Sequence, residues 1–136
     1  MTVAWRRRTG ALAGESGSAV AEFVMVGALL TGLTLAVMQL GLALHVRNTV
    51  LDAAAEGARY AALADSGLSD GAARTRELIT TAIGPSFATD VQAGYGDYEG
   101  FPSVEVRVIT PLPLIALFGP GRGLEVVGHA AVEDLR

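Results

Sequence analysis

"FVMVGALLTGLTLAVMQLGLAL", Phe23 to Leu44, is a run of 22 residues without one ionisable side chain. A hydrocarbon core of about 30 Å needs roughly 20 apolar helical residues to cross it. The run therefore predicts a single transmembrane helix. With 136 residues the chain is one domain at most, and what the membrane does not take must be small. Apolar residues make up 51% of the chain and aromatics only 6%, a balance that fits a membrane segment better than a soluble core.

Outward from this run, the charges are unevenly placed. Every basic residue is an arginine, and Arg6, Arg7 and Arg8 precede the run while only Arg47 and Arg59 follow closely. By the positive-inside bias the N-terminus is expected in the cytoplasm and the C-terminal part outside it. Just before the run, "GSAVAEF", Gly17 to Phe23, holds one acid, Glu22. A carboxylate at the edge of a hydrocarbon core needs a reason. One is electrostatic: in the first turn of a helix it would complement the macrodipole by about 0.3 to 1 kcal/mol. The other is a partner charge in the same layer.

The helical pattern continues past the membrane edge. Ala21, Met25, Ala28, Gly32, Ala36, Gln39, Ala43, Val46, Val50, Ala54, Gly57, Ala61 and Ala64 recur at spacings of three or four, so one face runs through both halves. Asp52, Glu56 and Arg59 fall on another face, as an amphipathic extension requires. At about 1.5 Å per residue, Ala21 to Ala64 predicts a helix of roughly 65 Å. Small residues at Ala28, Gly32, Ala36 and Ala43 permit close helix approach, and Gln39 offers a hydrogen bond across a helix pair in lipid. These five are candidate packing positions.

Asp65, Ser66 and Gly67 break the pattern. Ser69 or Asp70 is a candidate cap for a second helix ending at Gly84 and Pro85, with Ala72, Ala73, Ile79, Ala82 and Ile83 as its apolar side. Beyond Pro85 the period becomes two: Val91, Ala93 and Tyr95, then Val104, Val106 and Val108, then Leu124, Val126, Gly128, Ala130 and Val132. Glu99 and Gly100 form a candidate tight turn, and Thr110 to Gly123 a longer connection. The expected class is α+β: a long N-terminal transmembrane helix continuing into a small extracytoplasmic module with a second helix and a three-stranded antiparallel sheet. The segments are 1–17, 18–64 and 65–136, and the last has too little apolar material to fold independently of the helix.

Catalytic chemistry is not legible. There is no cysteine, which removes disulfides, thiolate metal sites and thiol nucleophiles. His45 and His129 have no paired ligand spacing, so no metal or other cofactor is expected. "GPGRG", Gly119 to Gly123, lacks the Lys-Ser/Thr of a phosphate loop and reads as a turn. No basic face with interleaved aromatics points to nucleic acid, and no site points to a small-molecule substrate. "LPLIALF", Leu112 to Phe118, is too short to span a bilayer and is expected to cover the module's core, or else to dock a partner subunit or the outer leaflet.

Gly17-Ser18 followed by Glu22-Phe23, with arginines upstream and a long apolar helix downstream, resembles the class III prepilin signal of type IV pilins. "RNTVLDAAAEGARYAA", Arg47 to Ala62, is similar to the segment after the membrane helix in TadE-like proteins of tight-adherence (Flp/Tad) pilus systems. The distinctive part is Glu56, Gly57, Ala58, Arg59 and Tyr60; Ala55 stands where that family often has a basic residue. The resemblance implies a pilin-like fold and a minor pilin or pseudopilin, without catalytic activity, that takes part in assembling an adhesive pilus. It also implies cleavage by a prepilin peptidase between Gly17 and Ser18, and partners among other Tad pilins, the assembly platform and membrane lipid. The cut would leave a cationic α-amine on Ser18, about one helical turn from Glu22. The alternative is an extracytoplasmic binding domain behind an ordinary signal or anchor segment. Such a signal has a shorter apolar region and is cut after it.

Overall fold

The computed structural model describes residues 12–112 and 123–132, with side chains from residue 17 onward. The chain divides into two units between Met38 and Gln39. Helix α1, Leu12–Ala62, supplies the described part of the first unit and opens the second. It begins nine residues before Ala21 and ends two before Ala64. The upstream sequence from Leu12 to Gly17 contains no proline to stop it, and the turn at Leu63 to Asp65 ends it.

The second unit holds the core. Helix α2, Leu68–Ile83, follows α1, and a 3₁₀ turn at Pro85–Phe87 leads into strands β1 (Asp90–Tyr98), β2 (Phe101–Pro111) and β3 (Gly123–Ala131). The sheet is antiparallel in the order β1-β2-β3. Val91 pairs with Val108, Ala93 with Val106 and Tyr95 with Val104, while Val126 pairs with Val108 and Gly128 with Val106. The alternation in all three strands thus places one valine-rich face inward. On it Val104, Val106 and Val108 are fully buried, together with Val46, Val50, Ala54 and Ala58 of α1 and Ile79 of α2. Tyr95 shares the register of that face but is 71% exposed.

Helix packing here depends on missing side chains. A Cβ on Gly57 of α1 would collide with Thr75 Oγ1 and come within 2.7 Å of Gly71 O in α2. Thr75 Oγ1 donates to Gly71 O at 2.9 Å, with Ala53 O a second acceptor at 3.4 Å, so the buried hydroxyl is satisfied at the crossing itself. Likewise a Cβ on Gly128 would strike the α1 backbone at Ala54 and Ala55. Only glycine lets the sheet approach the helix this closely. Arg76 adds a bond from α2 to Val91 O of β1, at 2.7 Å.

Three expectations need correcting. The N-cap of α2 is Gly67, not Ser69 or Asp70: Asp70 lies at the third helical position and its Oδ2 accepts from Gly67 N at 2.9 Å. The buried side of α2 is Gly71, Ala72, Thr75 and Ile79, while Ala73 and Ala82 are exposed. Close crossing with α1 selects the glycine and the threonine, and alanine's mild hydrophobicity does not decide a face. Thr110 and Pro111 belong to β2 and Gly123 to β3, which shortens the connection between them. Of "LPLIALF" only Leu112 is described; Pro113 to Phe118, the arginines at 6 to 8 and most of "GPGRG" lie outside the described residues.

Candidate assembly site along the first helix

In the first unit the site is a bare apolar helix. Phe23 is 79% exposed, and Val24, Leu29, Leu30, Leu33 and Val37 are also exposed, so large side chains point outward all round. Ala28, Gly32 and Ala36 are exposed among them, and a Cβ on Gly32 would meet nothing within 4 Å. A helix apolar on every side has no stable place in water. From Gly17 onward α1 is long and apolar enough to cross a membrane.

Glu22 sits at the head of this surface. Ser18 Oγ donates to Glu22 Oε1 at 3.4 Å, the reach of residues four apart on a helix. In the uncut chain Glu22 is ten residues inside α1, which starts at Leu12. A macrodipole acts only over the first turn. The helix-start role therefore fails for the full-length chain and would return only if residues before Ser18 were removed.

In the second unit Gln39 and Ala43 are half-buried. The motif at Glu56 to Tyr60 divides by face. Gly57 and Ala58 are buried at the crossing with α2 and against the sheet, whereas Glu56, Arg59 and Tyr60 are exposed. Arg59 Nη1 lies 3.5 Å from Glu56 Oε2, a solvent-exposed pair contributing only a few tenths of a kcal/mol. Glu56 and Tyr60 line an open cleft of about 560 Å³ with Arg74 and Glu77 of α2.

A scan against protein-family models matches this stretch. Residues 17–59 match the TadE-like protein family. The TadE-like match opens on Gly17, runs through the apolar helix and closes at Arg59, so it contains all the buried α1 residues of the second unit except Ala61. Helix α2 and the sheet fall outside the match. Comparison with curated proteins and with solved structures returned no match.

Sequence reasoning located the TadE-like residues but missed two groupings. The first is Gly71 and Thr75 opposite Gly57, for which the only signal was a glycine and a threonine four apart on α2. The second is on the outer sheet face, where His129 of β3 lies opposite Glu105 of β2, its Nε2 3.4 Å from Glu105 Oε1, and stacks on Tyr98. The strand periods put Glu105 and His129 on the same outer face, and the observed register sets them opposite one another. Among the described residues no three His, Asp or Glu side chains gather as metal ligands would.

Proposed function

We propose that the chain is a minor pilin or pseudopilin-like membrane protein that takes part in assembling a Tad-type adhesive pilus. A prepilin peptidase cuts it between Gly17 and Ser18; the N-terminal arginines stay in the cytoplasm and the module after Arg47 lies outside. The observation that carries this is the TadE-like match beginning at Gly17 and spanning the exposed apolar helix. Ala28, Gly32, Ala36, Gln39 and Ala43 then pack against helices of other pilins and of the assembly platform, with lipid covering the rest. The new α-amine of Ser18 pairs with Glu22 on the same or a neighbouring subunit. The protein works by association, without catalytic activity of its own.

The first residue of the mature protein tests this. Chemical sequencing of the membrane-extracted chain is expected to start at Ser18, in a product lacking only residues 1 to 17. A mature chain that starts after Leu44 would overturn the assignment and favour a secreted binding domain.

A further inference from the structure

The bond between Gly17 and Ser18 lies inside a helix. Helix α1 starts at Leu12, so these two are its sixth and seventh residues. In α-helical geometry the Ser18 N–H bonds back to the Gly14 carbonyl, and the Gly17 carbonyl accepts from the Ala21 N–H. Both halves of the amide are therefore engaged. Hydrolysis needs them free: water adds to the Gly17 carbonyl carbon, the C–N bond breaks, Gly17 keeps the hydroxyl as a carboxyl group, and the Ser18 nitrogen takes the remaining proton as an amine. A peptidase can polarise that carbonyl and protonate that nitrogen only after the helix has released them.

The weak helix lies upstream of the bond. Gly14 and Gly17 fall within Leu12 to Gly17, and no glycine occurs from Ser18 to Val26. Glycine is a poor helix former because it has the most backbone freedom to lose. Packing does not ask for Gly17, since a Cβ there would meet nothing within 4 Å. Releasing residues 12 to 17 leaves a helix that begins at Ser18, and serine is a preferred N-cap. Its hydroxyl, bonded to Glu22 Oε1 at 3.4 Å in the closed helix, can then turn to the Ala21 N–H that the Gly17 carbonyl gives up. We infer that α1 is the closed form of the peptidase substrate, and that cutting proceeds from a minor state in which residues 12 to 17 have left the helix and Ser18 caps the rest. Helices open and close within about a microsecond. With opening that much faster than cutting, the rate follows the population of the open form. The inference rests on the proposed cut at Gly17 and adds what sets its rate.

The test pairs two opposite changes away from the bond itself, Gly14→Ala and Ala13→Gly, in the full-length chain. Pulse-labelled cells carrying a prepilin peptidase give the rate at which the product starting at Ser18 appears. Gly14→Ala is expected to slow it about threefold and Ala13→Gly to speed it about threefold. The same chains, made without the peptidase and held in detergent, give the hydrogen-exchange rate of the Ser18 amide, which should shift in the same two directions. Equal cutting rates in the three chains overturn the proposal and leave the cut at Gly17 standing. So do cutting rates that change while exchange does not, because residues 13 and 14 are then read by the peptidase directly. A wild-type Ser18 amide that exchanges as fast as in an unstructured peptide also overturns it, since no closed helix then has to open. A wild-type product that starts elsewhere than Ser18 removes the assigned cut and this inference with it.

Discussion

Gly57 shows how a single residue can be read twice. In the sequence it is one letter of the TadE-like stretch, and in the structure it is the point where two helix backbones meet, with Thr75 Oγ1 and Gly71 O occupying the space a Cβ would need. Gly57→Ala is therefore expected to push α2 off α1 and destabilise the detergent-solubilised protein by about 1 to 3 kcal/mol. The denaturation midpoint measures it. Adding Thr75→Ala removes the nearer obstacle but leaves Gly71 O, so the double variant should recover only part of the loss. A wild-type midpoint for Gly57→Ala would show that the crossing yields without cost. Gly32→Ala is the contrast: its surroundings are open, and the same midpoint should not move.

At the scale of elements, periodicity carried most of the fold. Val46, Val50, Ala54, Gly57 and Ala61 were placed on one face of α1 and all are buried; Val104, Val106 and Val108 were placed on one face of a strand and all are buried. What escaped was set by contacts between elements. The face of α2 depends on which residues are small enough for α1, and the start of α2 depends on a side chain reaching backward. Glycine at the N-cap has no oxygen to give, so Asp70 supplies the one side-chain bond there, accepting from Gly67 N at 2.9 Å. Asp70→Ala is accordingly expected to cost about 0.5 to 1 kcal/mol, with Asp70→Asn losing less. Thermal midpoints of the three proteins would decide, and an unchanged alanine variant would mean that water replaces the carboxylate freely. For the TadE-like residues the same limit applied: their pattern was legible, but which of them pack and which face outward followed only from the position of α2.

For the whole molecule, the two units ask for different things. The second closes its own core of valine and alanine, while the first exposes apolar side chains that only lipid or other helices can cover. A change confined to the first unit should therefore act on association and leave the fold of the second intact. Glu22 is the residue on which this separation is sharpest. In the full-length chain it lies well inside α1, and among the described residues it accepts from Ser18 Oγ, an exposed contact that its removal breaks. Under the proposed cut at Gly17 the same carboxylate would face a new ammonium in a poorly hydrated layer, and truncating one member of a desolvated pair costs several kcal/mol because the other is left uncompensated. Glu22→Ala is expected to insert, to begin at Ser18 and to keep the wild-type thermal midpoint, yet to lose its pilin partners on co-purification from membranes. Glu22→Asp, whose carboxylate reaches less far, should recover an intermediate amount. Full recovery of partners by the alanine variant would leave the carboxylate with no assembly role and reduce it to a charge favouring the start of the mature helix.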